Sequence, residues 1–308
     1  MKNSKVAVIG AGNVGASVAM RLLEAGSCDV ALIDVIDGIA KGKAEDLMDA
    51  ASVISHSGEI IGSTDFELME GASIVVITAG FPRKPGMTRE ELLSKNASIV
   101  SDVTEKIAKY SPKSVIINVT NPLDAMTFTA YNVSKFKAQN VFGMAGLLDS
   151  SRMNLIISRH IKKPLKEIDS MVLGTHGETM VCALSQSKVS GKPLTQVLSA
   201  EQQKQVVEKT KARGAEIVSY LKTGSAFYGP SACAAEMVNA VLKDKKEIIC
   251  ASCLLQGEYG ISNVYLGVPA VIGKNGIEKI VELELTREEL SDLRKAAESV
   301  KISIEQLQ

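Results

Sequence analysis

Through its first ~145 residues the chain alternates short apolar runs with stretches where apolar residues recur every three or four positions. Residues 6–9 predict a first strand. Val14, Val18 and Leu22 then share one helical face, and Gly26 supplies a stop. Residues 30–33 read as a second strand, followed by a helical stripe of Ala40, Ala44, Leu47, Met48 and Ala51. A strand over 74–77 leads to a Thr88/Glu91 capping box and a helix reaching Tyr110, with further strands at 115–119 and 141–142. Such alternation predicts βαβ units and a parallel sheet. After residue 145 the pattern changes. It predicts a helix over 151–160, a strand over 168–173 and a long charged helix over 201–221. Strands follow between 248 and 283, with an Asn275-Gly276 turn, and Thr286 and Glu289 cap a last helix. The expectation is an α/β half over residues 1–145 and an α+β half over 146–308, packed directly together.

Composition narrows the partners. Lys+Arg and Asp+Glu are equal at 35 each, so no global field favours nucleic acid or an anionic membrane. A chain of 308 residues can bury two cores. No apolar stretch is long enough to span a bilayer, and the opening MKNSKVAVIGAG reads as neither signal peptide nor anchor. Five cysteines without a secretory signal point to reduced thiols and a cytoplasmic location. Cys250 and Cys253 form a lone CxxC inside the apolar run IICASCLL. That predicts core thiols in a buried strand and no metal site.

The first loop carries chemistry. Gly10-Ala11-Gly12-Asn13-Val14-Gly15 is GxGxxG placed between a strand and a helix. Gly10 permits the tight turn, Gly12 lets a pyrophosphate approach, and Gly15 lets helix and strand pack closely. The helix start, Asn13 and Val14 included, offers free N–H groups to the diphosphate. Asp34 follows the second strand, 19 residues after Gly15, where an acid accepts the ribose hydroxyls and repels a 2′-phosphate. A Rossmann doubly wound sheet binding NAD rather than NADP is the expectation.

Four further blocks follow in order. They are Gly80-Phe81-Pro82-Arg83-Lys84-Pro85-Gly86-Met87-Thr88-Arg89, Asn118-Val119-Thr120-Asn121-Pro122, Leu148-Asp149-Ser150-Ser151-Arg152 and Gly174-Thr175-His176-Gly177-Glu178. Oxidising a hydroxyl needs a base, and histidine suits proton exchange near neutrality. Of the three histidines, His56 lies in a polar Ser-His-Ser-Gly stretch and His160 sits at a helix end. His176 stands on a glycine-flanked loop. Taken together, the motifs resemble the lactate/malate dehydrogenase family across essentially the whole chain, most nearly its malate-specific members of lactate-dehydrogenase architecture.

That resemblance implies an NAD-dependent enzyme of the tricarboxylic acid cycle that interconverts malate and oxaloacetate. His176 would be the acid/base and Asp149 its partner, although Asp149 also reads as a helix N-cap, with Ser150 as an alternative cap. Arg152 would clamp the C1 carboxylate and Arg89 would polarise the reacting carbonyl. Arg83 would pair with the second carboxylate, where lactate-specific members carry glutamine. Asn121 would contact substrate or nicotinamide, Asn96 and Val119 the cofactor, and Ser225 the substrate pocket. The segment 80–86 would act as a jointed lid. Glu178 departs from the aspartate that the family pattern leads one to expect. The resemblance favours a homotetramer, with a dimer as the alternative.

Overall fold

Continuous apolar runs suit strands whose sheet is covered on both faces, and these runs form the centre of the molecule. The computed structural model describes residues 4–26, 28–54, 58–82 and 86–307. The first half runs β1 (Lys5–Ile9), α1 (Asn13–Glu24), β2 (Asp29–Ile33), α2 (Ile39–Ala51), β3 (Ile60–Ser63), β4 (Ile74–Ile77) and α3 (Arg89–Tyr110). It continues through β5 (Val115–Asn118), α4 (Leu123–Ser134), β6 (Val141–Gly143) and α5 (Gly146–Ile161). Then come short β7 (Ile168–Asp169), β8 (Val172–Leu173), β9 (Val181–Cys182), β10 (Lys188–Val189) and β11 (Lys192–Pro193). The chain ends with α6 (Leu194–Val197), α7 (Ala200–Leu221), α8 (Tyr228–Leu242), β12 (Glu247–Gln256), β13 (Ser262–Gly273), β14 (Gly276–Ile280) and α9 (Arg287–Glu305).

The main sheet has the order β14-β13-β12-β6-β5-β4-β1-β2-β3. Strands β3 to β6 pair in parallel with the 3-2-1-4-5-6 order of a Rossmann sheet. The direction of winding reverses between β1 and β4, so the crevice beyond their carboxyl ends is the expected ligand position. The second half is not a separate layer. Its antiparallel hairpin joins the same sheet, with Ser252 of β12 opposite Gly143 of β6. One apolar core therefore runs from Val8 and Val76 to Leu266 and Leu293. A smaller core packs Met153, Val172, Leu194 and Val206.

The elements that went unread in the sequence are β3, α4 and α8, together with the short β9, β10, β11 and α6. Helices α4 and α8 are apolar on most sides, because α4 packs between α3 and the sheet while α8 lies on α1. A helix buried all round shows no amphipathic period. Two predicted bounds need correction. Helix α5 begins at Gly146, not at 151, because its first turn faces inward. A Cβ on Gly146 would lie 2.0 Å from the Val172 carbonyl, and Asp149 and Ser150 are buried. The predicted strand over 168–173 is split in two. Between the pieces, the Ser170 amide donates to Asn154 Oδ1 at 3.0 Å rather than to a neighbouring strand.

Candidate active site

The glycine turn follows β1 at the winding reversal. Gly10 has φ +101, a conformation that favours glycine, and a Cβ there would sit 2.7 Å from the Ala79 amide. A Cβ on Gly15 would lie 1.8 Å from the Gly10 carbonyl, so α1 approaches β1 only because Gly15 has none. Gly12 differs: a Cβ there would meet nothing within 4 Å, and the residue is exposed. It is the N-cap of α1 and has no side chain to satisfy the first amides. The amides opening at Asn13 and Val14 therefore face an accessible, positively polarised helix end. The Thr78 hydroxyl braces the turn by donating to the carbonyls of Ile9 and Gly10 at 3.1 and 2.9 Å.

Asp34 stands at the rim of this turn. Its Oδ2 accepts from the Ala11 amide at 2.7 Å, and its Oδ1 accepts from the Ile36 amide at 3.0 Å. Lys43 donates to the Ala11 carbonyl at 2.6 Å, a second anchor that the apolar stripe of α2 gave no reason to expect. The open face of Gly12, the free helix start and the oriented carboxylate fit a dinucleotide with an unphosphorylated ribose.

The proton-transfer candidates meet in the second half, on α5 and the loop after β8. The His176 ring, on the loop after β8, places Nδ1 2.7 Å from Asp149 Oδ2. Asp149 is 1% exposed and carries no proton to give when ionised, so Nδ1–H donates and Nε2 is left for a reacting group. The other Asp149 oxygen, Oδ1, accepts from Arg152 Nη1 at 3.1 Å. One buried carboxylate thus orients both a half-exposed imidazole and a guanidinium.

Asp149 lies within the first turn of α5 and does not cap it. Ala145 is the N-cap and makes no side-chain bond. Nor does Ser150 cap: its hydroxyl accepts from the Val172 amide at 2.9 Å and so ties α5 to β8. His160 sits in the last turn of α5. His56 and Arg83 lie outside the described residues.

Arg89 opens α3 beside Thr88, whose capping box with Glu91 is complete. Its Nη2 lies 3.7 Å from Glu178 Oε2, and both side chains are well exposed. The residue that departs from the family pattern therefore meets Arg89 directly. Exposed pairs of this kind contribute little, about 0–1 kcal/mol.

Asn96 is buried and its amide is fully engaged within the protein. Oδ1 accepts from the Phe81 amide at 2.7 Å, while Nδ2 donates to the carbonyls of Phe81 and Asn121 at 3.2 and 2.7 Å. It holds the segment after β4 against the loop after β5. Val119 is buried, with its amide bonded to the Ile77 carbonyl at 2.8 Å, and Asn121 is exposed just beyond. Ser225 is exposed between α7 and α8.

Sequence reasoning passed over Asn118 and Asp124. Asn118 Nδ2 donates to the Thr120 carbonyl at 3.1 Å, the Leu123 carbonyl at 3.3 Å and Thr127 Oγ1 at 3.2 Å, folding the loop around the cis Asn121-Pro122 peptide. Asp124 Oδ1 accepts from Ser252 Oγ at 2.6 Å. Burial pushes the Asp124 carboxyl up to about 7, against the opposing hydrogen bond from Ser252. The visible clue was a polar residue inside an apolar stretch, which must find a partner when buried.

A dinucleotide turn in the same chain as an aspartate-backed histidine and an oriented arginine belongs to a nicotinamide-dependent oxidoreductase. The family model for the lactate/malate dehydrogenase NAD-binding domain matches residues 4–143, and that for the family's α/β C-terminal domain matches residues 147–308. The chain belongs to the lactate/malate dehydrogenase family. It is 47% identical over 294 residues to a malate dehydrogenase of Pelodictyon phaeoclathratiforme, covering 95% of each chain. The crystal structure of Cryptosporidium parvum malate dehydrogenase superposes with a TM-score of 0.96 at 39% identity, covering 99% of each chain. The lactate dehydrogenase of Cryptosporidium parvum, complexed with lactic acid and nicotinamide adenine dinucleotide, gives a TM-score of 0.97 at 37% identity. That match covers 100% of this chain and 98% of the other.

Proposed function

We propose that this chain is an NAD-dependent malate dehydrogenase, with residues 1–145 holding the cofactor and residues 146–308 supplying most of the substrate chemistry. The observation that carries the reading is the Asp149 carboxylate, which orients His176 on one oxygen and Arg152 on the other. NAD, when bound, supplies the hydride acceptor for malate and, reduced, the donor for oxaloacetate. Gly10, Gly12, Asn13, Val14 and Gly15 cradle its diphosphate, and Asp34 selects the unphosphorylated ribose. Val119 and Asn121 border the nicotinamide side, and Asn96 contributes by positioning that loop.

His176 Nε2 takes the C2 hydroxyl proton of malate and returns it during reduction. The Asp149 carboxylate stabilises the imidazolium that forms. The guanidinium of Arg152 uses its remaining N–H groups on the C1 carboxylate. Arg89 exchanges Glu178 for the reacting oxygen and stabilises its developing negative charge. Ser225 borders the substrate. Closure of the segment 80–86 over substrate belongs to the same reading, although residues 83–85 lie outside the described residues.

The fold does not choose between lactate and malate, since both activities occur among the structural neighbours. Arg83 makes the choice: its guanidinium pairs with the second carboxylate of oxaloacetate and would be left without a partner by pyruvate. That difference supports a specificity of ~10²-fold or more. NADH oxidation should be fast with oxaloacetate, slow with pyruvate and absent without a 2-oxo acid. In Arg83→Gln the oxaloacetate rate should fall and relative activity on pyruvate rise. Wild-type preference for pyruvate, or no rate with either acid, overturns the assignment.

Among the described residues, no helix is long and apolar enough to cross a membrane. A cytoplasmic location is supported by five buried, unpaired thiols. Assembly as a homotetramer, or failing that a dimer, is supported by exposed apolar side chains such as Val53 and Tyr220.

A further inference from the structure

We propose that Asp124 is a positioning residue for proton transfer, a second buried carboxylate that fixes the Asn121 loop to β12 and contributes negative charge to the surroundings of His176. The inference rests on the reading of His176 as the proton-transfer group.

The geometry starts in the first turn of α4. Asp124 is 4% exposed and lies three residues after Asn121. Its bond to Ser252 at 2.6 Å crosses 128 residues of chain and joins α4 to the middle of β12. Gly143 is what allows this approach, because a Cβ there would sit 2.5 Å from Thr127 Oγ1 and 3.0 Å from Ser252 Cβ. Two residues along β12, and so on the same face, Cys250 donates its thiol to the Val172 carbonyl at 2.9 Å. Val172 belongs to β8, the strand that leads into His176. Ser252 and Cys250 thereby link the Asn121 loop on one side to the His176 loop on the other.

Charge follows the same path. The groups facing Asp124 are His176 from the loop after β8, Asp149 from α5, and Ser252 with the Cys250 and Cys253 thiols from β12. The α4 backbone also donates to it. Desolvation is the largest effect and brings it to about 7, against the Ser252 bond and His176, which lower its proton affinity, while Asp149 raises it further. Burial raises both thiols well above neutrality, so they stay uncharged. A carboxyl titrating near 7 is an anion in alkaline solution and neutral in acid. As an anion it favours the protonated form of His176, the form that oxaloacetate reduction requires.

The test compares wild type with Asp124→Asn, which keeps an acceptor for Ser252 and removes the charge. In oxaloacetate reduction, the alkaline fall of kcat/KM should move to lower pH by about half a unit in the variant, and the two curves should converge in acid. Ser252→Ala removes a bond to the charged carboxylate and should move the same limb in the same direction by less. A role confined to packing would scale the rate by one factor at every pH. Stability gives a second readout that needs no catalysis. A carboxyl raised from 3.8 to about 7 contributes stability that is full below 3.8 and is lost as pH rises through 7. The difference in Tm should therefore shift in favour of Asp124→Asn over that window and then level off. If Asp124→Asn does not fold, Ser252→Ala carries the kinetic test. An unmoved alkaline limb overturns the proposal, whatever the Tm difference does. Full turnover in His176→Gln would instead overturn the functional reading beneath it.

Discussion

Asp149 serves two partners with one carboxylate, which fixes what its loss must do. In Asp149→Asn the side chain keeps its shape but has one acceptor oxygen instead of two and no charge, so it cannot both hold His176 as a donor at Nδ1 and balance Arg152. Turnover should fall by roughly 10³–10⁴-fold, the scale seen when an aspartate behind a catalytic histidine is neutralised in other enzymes. KM for oxaloacetate should rise as well, because Arg152 loses its anchor. Steady-state kinetics on purified, folded variant decide it, and near-normal kcat would count against the pairing. His176 and Asp149 were legible in the sequence because each sits in a short motif whose residue types suit the chemistry. That Asp149 bonds His176 and Arg152 at once was not, since no spacing in a sequence shows that one carboxylate has two bonds. Asp124 was illegible for a related reason: its partner Ser252 lies on a strand 128 residues away.

Among the helices, legibility followed exposure. Strand β1 and helix α1 announced themselves because α1 keeps one face in water, and the capped helices α3 and α9 carried their own start signals. Helices α4 and α8 were hidden by burial, and the break between β7 and β8 by a side-chain bond at Ser170 that no sequence pattern shows. The joint between β1 and α1 depends on a single missing methyl group. In Gly15→Ala the new Cβ would enter the space 1.8 Å from the Gly10 carbonyl and 2.8 Å from Thr78 Oγ1, so helix or turn must move. The cost should be about 1–3 kcal/mol, as for other overpacked sites. Because the displaced turn is the one that faces the diphosphate, NADH affinity should drop along with Tm. Fluorescence titration and a thermal melt measure the two, and a variant with unchanged affinity and Tm would contradict the close-packing role.

The whole molecule is organised by a sheet that both halves share. Strand β12 of the second half adds to β6 of the first, and one apolar core spans the joint. The α+β reading of the second half missed this, because the hydrophobic pattern of β12 and β13 tells that they are strands but not which sheet they join. The consequence is testable through the cysteines. Cys28 lies in the first half, and Cys182, Cys233, Cys250 and Cys253 lie in the second; all are buried. Burial pushes Cys28, Cys182 and Cys233 up to about 12 and the β12 pair higher still, so scarcely any reactive thiolate exists in the native state. A thiol reagent should leave the native protein unlabelled at neutral pH. In a denaturant series, Cys28 should become reactive at the same concentration as Cys250 and Cys253, because the shared sheet cannot lose one half and keep the other. Peptide mapping of the labelled sites measures this directly. Labelling of Cys28 at a clearly lower concentration than the β12 pair would mean that the halves unfold separately and that the Ser252–Gly143 junction does not couple them.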